Sequence, residues 1–324
     1  MTAWDLVSRR YWFFLLSGIV ILPGLISLVL PGGLRPGIEF SSGSIMTFRF
    51  ETPTQQADVR EVFSSLNHED SLIQRSEDGT YIVRTTAMKP EVRDDAGNVT
   101  TPSERQRVED ALRAKFEDNP LTVLSFDQVS PIVAAEIVRN AALAVVAASM
   151  GILVYLWWAF RHVKDPWRYG VCAVVALLHD ALVVVGVFSI LGRVFGIEVD
   201  ALFITAVLTV IGFSVHDTIV VFDRVRENSI RHQGEPFEDI VNHSLMQTMG
   251  RSLTTSLTVL LTLFTLWLFG GVTIRNFILA LLIGIASGTY SSIFNASMLL
   301  VVWELGELAR LFGRGGARLA TARA

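Results

Sequence analysis

Six apolar runs divide this sequence and limit what it can fold into. They are 17 to 26 residues long, and a helix needs about 20 apolar residues to cross the hydrocarbon core of a bilayer. Backbone polar groups at that depth must find partners within their own segment, so each run is predicted to be a membrane-spanning helix. The predicted spans are residues 11–30, 141–160, 169–191, 201–222, 253–269 and 277–302.

The charged residues are few and unevenly distributed. They make up 18% of the chain, whose mean hydropathy is +0.46, and many of them lie in one block, residues 31–138. This pattern predicts a polytopic α-helical membrane protein with one soluble domain. The chain has no basic stripe suited to nucleic acid, and its one cysteine, Cys172, rules out an intrachain disulfide.

The soluble block has its own pattern of secondary structure. Alternating and helical spacings predict strands and helices in the order β-α-β-β-α-β. The predicted strands are 44–50, 71–74, 81–85 and 123–126, the helices 54–66 and 103–116, with a turn at Asp78-Gly79 and a loop at 94–98. This order predicts a ferredoxin-like α+β domain between the first and second membrane helices.

Positive charge in the short connections predicts the orientation. Thirteen Lys and Arg lie in one set of segments: two in residues 1–10, three in 161–168, four in 224–251 and four in 304–324. The short connections on the other side hold only Arg193 and Arg275. Because Lys and Arg favour the cytoplasmic side, we expect both termini in the cytoplasm, residues 31–138 outside the membrane, and a five-helix region over 139–303.

One stretch, residues 211–228 (IGFSVHDTIVVFDRVREN), places charge where hydrocarbon is expected. Asp217 lies about five residues before the cytoplasmic end of the fourth span, roughly 8 Å deep at 1.5 Å per residue. An ionisable residue at such a depth costs at least about 2.5 kcal/mol on insertion scales, which marks it as a functional candidate. Arg251 opens the fifth span at the same face, so the two side chains are expected to approach each other, directly or through water.

Two interpretations of this pair remain open on the residues alone. Burial raises the pKa of a carboxyl group and a nearby cation lowers it. An aspartate whose cationic partner moves would therefore alternate between binding and releasing a proton, which is a proton relay. A static buried ion pair that only fixes helix packing explains the same residues.

Further polar residues at membrane depth are candidate ancillary groups. They are His216 beside Asp217, the pair His179-Asp180 in the third span, and Thr255 and Thr258 on one face of the fifth span with Thr262 and Thr265. The threonines would either order water along a proton path or bond their own backbone. The His-Asp pairs fit an ancillary proton site, a polar contact between helices or, least well, a metal site, since the chain has no HExxH motif.

Two other features bear on packing and on enzyme chemistry. Gly284 and Gly288 are four residues apart in the last span, a spacing that lets helices approach closely. Two intramembrane aspartates also suggest an aspartyl protease, but that class expects Gly-x-Gly-Asp, and Asp217 follows Ser-Val-His. We therefore expect no enzymatic activity, no cofactor and no bound metal.

Several motifs together resemble one family. They are GIEFSSG at 37–43, VSP at 129–131, His179-Asp180, the stretch 211–228, QTMGRSLTTS at 247–256 and SSIF at 291–294. On these motifs the chain resembles the SecF family, the smaller half of the SecD–SecF protein-translocation accessory complex of bacteria and archaea, within the resistance-nodulation-division superfamily. The resemblance covers nearly the whole chain. It departs at His216, where the family usually has Asn, and at 37–43, where the family usually has GIDFTGG.

The resemblance implies a function and partners. Members use the proton-motive force, or sodium in some cases, to help secreted chains leave the SecYEG channel, and the relay Asp and its companion Arg correspond to Asp217 and Arg251. The implied partners are SecD, SecYEG, the translocating preprotein, H+ or Na+ and the lipid of a bacterial inner membrane. The resemblance also includes a cytoplasmic motif, Asp223, Arg224, Arg226, Glu227 and Asn228. A proton-driven exporter of lipids or small molecules and a passive membrane scaffold remain the alternatives.

Overall fold

The structure, a computed structural model, describes residues 5–76, 79–94, 99–161, 165–271 and 274–307. Asp78 of the predicted turn, residues 95–98 of the predicted loop and most of the C-terminal tail lie outside the described residues. The chain divides into two compact units. One comprises the residues up to Arg35 and those from Ala142 onward, and the other is Pro36–Ala141.

The first elements of the chain lead into the α+β unit. Helix α1 is Arg10–Val29 and strand β1 is Arg35–Pro36. There follow α2 Ile38–Ser41, β2 Gly43–Phe50, α3 Gln56–Ser65, β3 Leu72–Arg75, β4 Thr80–Thr85, β5 Val92–Arg93, β6 Val99–Thr101, α4 Glu104–Lys115 and β7 Leu121–Val129.

The α+β unit is built on a four-stranded sheet with the order β3-β4-β2-β7. Its neighbouring strands are antiparallel, and with α3 and α4 they give the succession β-α-β-β-α-β. This is the ferredoxin-like arrangement, as predicted. Strand β7 is longer than the predicted 123–126 because it pairs with the whole of β2, across a register shift at Thr47/Phe48.

Alternation along β2 sets the core of this unit. Met46, Phe48 and Phe50 are buried on one side of the strand, where they form a single cluster with side chains of both helices. The helical contributions are Val59, Val62 and Phe63 from α3 and Val108 and Leu112 from α4. Period-two burial in a strand against a helix stripe is what the sequence pattern predicts.

The long apolar helices lie mainly in the unit made of the residues up to Arg35 and those from Ala142 onward. They are α1, α5 Pro131–Ala159, α6 Pro166–Phe195, α7 Ala201–Arg231, α8 Phe237–Phe269 and a last span. The last span is made of α9 Arg275–Tyr290, a π-helical segment Ser291–Ala296 and α10 Ser297–Glu304. A short strand, β8 Glu198–Val199, precedes α7. Six helices within the described residues are long and apolar enough to cross a membrane. The chain is therefore a multi-pass membrane protein.

Three helices continue beyond the apolar runs that predicted them. Helix α5 begins at Pro131, α7 ends at Arg231, and α8 begins at Phe237 rather than at residue 253. Hydropathy marks only the part of a helix in hydrocarbon, whereas these extensions carry charged residues such as Glu136, Arg226 and Glu238. In the extension of α8, Val241 and Leu245 are buried in one cluster with residues of α7, so the α7–α8 hairpin stays packed past the apolar run.

Glycines allow the closest helix contacts in the membrane unit. A Cβ atom on Gly284 of α9 would lie 2.2 Å from Cγ2 of Val210 on α7, and one on Gly24 of α1 would lie 2.7 Å from the backbone of Gly186 on α6. Both distances are far below van der Waals contact, so no other residue fits without displacement. The predicted close approach at Gly284 is confirmed, and it brings α9 against α7.

Candidate functional site

The carboxylate of Asp217 lies where α7, α8 and α9 meet. Only 3% of the residue is exposed. Ser256 Oγ of α8 donates to Asp217 Oδ2 over 3.5 Å, and Thr289 Oγ1 of α9 donates to Ser256 Oγ over 2.6 Å. The first bond is at the limit of hydrogen-bond length and is therefore weak. Asp217 is thus a buried carboxylate with little direct stabilisation.

Arg251 lies on α8, five residues before Ser256, and its side chain is exposed. It is close enough to Asp217 to act on it electrostatically, as is His216. Among the described residues, however, no nitrogen–oxygen distance of 4 Å or less joins Asp217 to Arg251. The two predicted relay residues share one region without forming a direct ion pair. His216 is exposed while Asp217 is buried, so they occupy different faces of α7.

A second carboxylate, Asp180 of α6, is more deeply buried and far better hydrogen-bonded. It has no exposed surface. The hydroxyls of Ser214 and Ser291 donate to Oδ2 over 2.6 Å each, and Ser287 donates to Oδ1 over 2.9 Å. His179 Nδ1 lies 3.1 Å from Oδ1. We call Asp180, His179 and these three serines the Asp180 cage.

The serines of the Asp180 cage come from helices distant in sequence. Ser214 is on α7 and Ser287 on α9, while Ser291 begins the π-helical segment. A π-helical turn shifts the register of a helix and often occurs at functional sites. Gly288 keeps α9 close, since a Cβ there would lie 3.1 Å from Ser214 Cβ and 3.6 Å from Asp180 Oδ2.

A chain of hydroxyls leads from this cage toward Asp217. Ser214 Oγ lies 3.3 Å from Ser292 Oγ, and Thr218 Oγ1 donates to Ser292 Oγ over 3.0 Å. Thr218 is adjacent to Asp217 in the chain. Ser214 and Asp217 are three residues apart on α7, which corresponds to about 4.5 Å along the helix axis. Ser214, which bonds Asp180, is therefore about one helical turn from Asp217 on α7.

The candidate threonines of α8 have local partners. Thr255 and Thr258 donate their hydroxyls to the carbonyls of Arg251 and Thr254, over 2.9 and 2.8 Å. Thr262 and Thr265 bond their own helix in the same way. This is the arrangement expected for threonines in membrane helices that bond their own backbone.

The charged motif at residues 223–228 ties α7 to α8. Asn228 is buried, and its amide donates to Ser244 Oγ over 2.9 Å and to Gln247 Oε1 over 3.1 Å. Arg224 also donates to Gln247. The remaining charges pair along α7, with Asp223 bonded to Arg226 and Glu227 to both Arg224 and Arg231. The motif therefore fixes the end of the α7–α8 hairpin.

Comparison with known proteins decides the family. The model of the family "Protein export membrane protein SecD/SecF, C-terminal" matches residues 107–306. The chain is 50% identical to the protein translocase subunit SecF of Thermobaculum terrenum, over 96% of this chain and 97% of that protein. The chain belongs to the SecD/SecF family of protein export membrane proteins.

Other members agree with this membership. The SecF subunit of Anaerolinea thermophila is 42% identical over 96% of this chain and 97% of its own length. The protein translocase subunit SecDF of Bacillus subtilis is 35% identical over 95% of this chain. The crystal structure of SecDF from Thermus thermophilus, a translocon-associated membrane protein, matches with a TM-score of 0.74 at 31% identity over 93% of this chain. This chain spans 39% of the length of each SecDF protein.

Some site residues were outside the reach of sequence reasoning. Ser256 and Thr289 at Asp217, and the three serines of the Asp180 cage, were not predicted as partners of the carboxylates. Ser214 and Ser256 lie inside family motifs, and Ser291 opens the SSIF motif. Those motifs were the available signal, but nothing in them shows which side chain a serine contacts.

Proposed function

We propose that this chain is the SecF subunit of a protein translocase and uses the proton-motive force, together with SecD, in late steps of export through SecYEG. The observation that carries the proposal is the state of Asp217. It is a buried carboxylate with one weak hydrogen bond and no direct ion pair in the described part of the chain, in a protein that matches SecF subunits over nearly its whole length.

The proposed cycle begins when a proton binds Asp217. An ionised carboxylate attracts Arg251, and neutralising it removes that attraction. Asp217 and Arg251 lie on neighbouring helices, and Ser256 and Thr289 connect the same carboxylate to α8 and α9. Loss and return of the charge would therefore shift α7, α8 and α9 relative to one another. In this proposal the shift moves the extracytoplasmic domains of SecF and SecD against the emerging chain, with no covalent chemistry.

Two helices are proposed to contact SecD. In the most apolar stretch of α5 no residue is buried, and in the most apolar stretch of α8 only 11% of the residues are buried. The structure describes every residue of both helices. In α8 the exposed apolar side chains recur every three or four residues, at Leu253, Leu257, Leu261, Phe264 and Leu268. The SecDF relatives carry additional chain beyond the part that matches this one, so a SecD partner on these faces is the proposed counterpart.

The proposed location is a bacterial inner membrane. The thirteen Lys and Arg in the segments assigned to the cytoplasm, against two on the other side, support cytoplasmic termini and an extracytoplasmic α+β domain. Residues 31–138 would then meet the secreted chain as it leaves the channel.

The test is release of a secretory protein from membrane vesicles driven by an imposed proton gradient, with SecD present. Asp217→Asn keeps the side-chain volume and removes the titrating group, so gradient-driven release should stop while the complex still assembles. Asp200→Asn is the matched control. Asp200 caps the start of the same helix by accepting from Phe203 N over 2.8 Å, and Asn caps helices equally well.

The outcomes separate the alternatives. Gradient-driven release that persists with Asp217→Asn contradicts the relay and favours a passive scaffold. Loss of release with Asp200→Asn as well would show that the assay reports damage to α7 rather than proton coupling. Replacing the proton gradient with a sodium gradient in the same vesicles decides which ion is used.

A further inference from the structure

We propose that a cavity at one end of the membrane helices binds a zwitterionic phospholipid whose headgroup carries a primary ammonium, as phosphatidylethanolamine does. The inference goes beyond the proposed function, because no step of the export cycle enters it. It rests on three observations: a cavity where four helices begin or end, a lining with an apolar part and a charged part, and a balance of positive and negative side chains.

The cavity has a volume of about 470 Å³ and lies within the membrane unit. Its lining comes from the start of α6, the end of α7 and the residue Gln233 beyond it, the start of α8, and α10. Sites that hold small molecules have volumes of roughly 300–1,000 Å³. The cavity therefore has room for a phosphoethanolamine headgroup and the hydrocarbon next to it.

The cavity lies where the apolar runs of these helices end. Tyr169 is the first residue of the predicted span 169–191, and Leu300 is close to the end of the span 277–302. Trp167 and Trp303 lie just beyond those ends, with ring centroids 4.9 Å apart. Because Trp is enriched where hydrocarbon meets the headgroups, we place the cavity at the level of the headgroups.

The lining has two parts, as a phospholipid has. Tyr169, Phe237 and Leu300 supply apolar surface. The charged side chains of the lining are Arg226, Glu227, Arg231 and Glu304. The apolar surface suits the upper part of an acyl chain, and the four charges, two of each sign, suit a headgroup that carries both signs.

The two arginines are suited to the phosphate group. Arg226 pairs with Asp223 and Arg231 with Glu227, over 2.6 Å each, and 36% and 64% of the arginine side chains are exposed. Ion pairs at such exposure are weak, and a guanidinium group has five N–H donors. Each arginine can therefore keep its neighbour and also donate to a phosphate oxygen.

The two glutamates are suited to the ammonium group. Glu304 pairs with Arg168, and Glu227 pairs with Arg224 and Arg231. About a third of each glutamate side chain is exposed, 34% and 35%, and a carboxylate can accept several hydrogen bonds. Each can therefore also accept from a primary ammonium.

These carboxylates distinguish between headgroups. A choline headgroup has no N–H and cannot donate to them. An anionic headgroup, such as phosphoglycerol, places a further negative charge beside them without an ammonium to compensate it. The lining therefore favours ethanolamine over choline and over glycerol.

The test is native mass spectrometry of the full chain, delipidated in detergent and titrated with phosphatidylethanolamine, phosphatidylcholine or phosphatidylglycerol that carry the same acyl chains. We expect phosphatidylethanolamine to bind at least tenfold more tightly than the other two. Equal affinities, or a preference for phosphatidylglycerol, would overturn the proposal. The absence of saturable binding would overturn it too and would leave the cavity to another segment of protein.

Charge variants assign the binding to this cavity. The double variant Glu227→Gln, Glu304→Gln keeps the side-chain shapes and removes both carboxylates, so it should bind phosphatidylglycerol at least fivefold more tightly than the native chain. A gain in affinity cannot result from misfolding. An unchanged preference for phosphatidylethanolamine in this variant would contradict the assignment.

Two further variants complete the set. Arg226→Gln combined with Arg231→Gln should weaken binding of all three lipids at least fivefold, and full binding would contradict the phosphate site. The matched control is Glu235→Gln. Glu235 pairs with His232 and is not among the described residues that line the cavity, so this variant should keep the native preference. Loss of the preference there would show that it depends on net charge rather than on the cavity.

A headgroup without acyl chains separates a lipid from a soluble phosphate ester. Glycerophosphoethanolamine should bind at least a hundredfold more weakly than the lipid, because it makes no use of the apolar lining. Equal affinity would contradict a lipid site. These measurements need neither SecD nor a secreted chain, so their outcome is independent of the export assay on Asp217→Asn.

Discussion

Replacing Gly284 by alanine should separate α7 from α9 and disrupt the polar region between them. The added methyl carbon would lie 2.2 Å from Val210 Cγ2 and 2.9 Å from Cγ1. Carbon atoms pack at about 3.5 Å or more, so the helices must move apart by roughly 1.3 Å unless Val210 yields. Overpacking of this kind typically costs about 1–3 kcal/mol of folding free energy.

The displacement is large compared with the range of lengths over which a hydrogen bond persists. Ser214 lies one turn beyond Val210 on α7 and donates to Asp180 over 2.6 Å. If α7 and α9 move apart by roughly 1.3 Å, Asp180 cannot keep short hydrogen bonds to both Ser214 of α7 and Ser287 of α9. Gly284→Ala should therefore lower both the unfolding free energy and export activity, although residue 284 touches neither carboxylate.

A double-mutant cycle isolates the cause. Unfolding is followed in nanodiscs for Gly284→Ala, Val210→Ala and the double variant, with Gly212→Ala as the control. Gly212 is on α7 and has nothing within 4 Å of an added Cβ. Removing the Val210 methyls should recover most of the loss, giving a coupling energy of about 1 kcal/mol or more. A fully stable Gly284→Ala variant, or no recovery in the double variant, would refute the close-contact argument.

Two further substitutions test the α7–α8 hairpin and the threonine face. Asn228→Ala removes the buried bonds to Ser244 and Gln247 and should cost about 1–3 kcal/mol of unfolding free energy. The control is Ser229→Ala, which should cost less because the hydroxyl of Ser229 bonds its own helix. Equal losses in the two variants would contradict the role of Asn228 in the hairpin. Thr258→Val keeps the side-chain shape and removes a hydroxyl that donates to its own backbone, so gradient-driven export should change less than twofold. A tenfold loss would instead support a water path along this face.

The sequence predicted the parts of the fold that depend on local pattern. The alternation of apolar and polar residues along β2 and the order of strands and helices identified the ferredoxin-like domain. The lengths of the apolar runs identified the six spans. Hydropathy missed the extension of α8 before residue 253, because that part is stabilised by contacts such as Leu245 with α7 rather than by lipid.

The candidate site was predictable only where one residue is unusual by itself. Asp217 and Asp180 are conspicuous as carboxylates in apolar runs, but serine is common in membrane helices and carries no such signal. The bonds of Ser214, Ser287 and Ser291 to Asp180 span 34, 107 and 111 residues. These bonds form because Gly284 and Gly288 bring α9 against α7. They therefore depend on how three helices pack together and not on the sequence near each serine.

The two carboxylates differ in what a proton would change. Asp180 has four close partners, the hydroxyls of three serines and the imidazole of His179, so its carboxylate is held by several short hydrogen bonds. Among the described residues Asp217 has one weak bond, to Ser256, and its proposed countercharge is the exposed Arg251 on another helix. A change of charge there alters an attraction between helices. Asp217 is therefore the carboxylate suited to convert proton binding into movement, whereas the hydrogen bonds of Asp180 join α6 to α7 and to the last span.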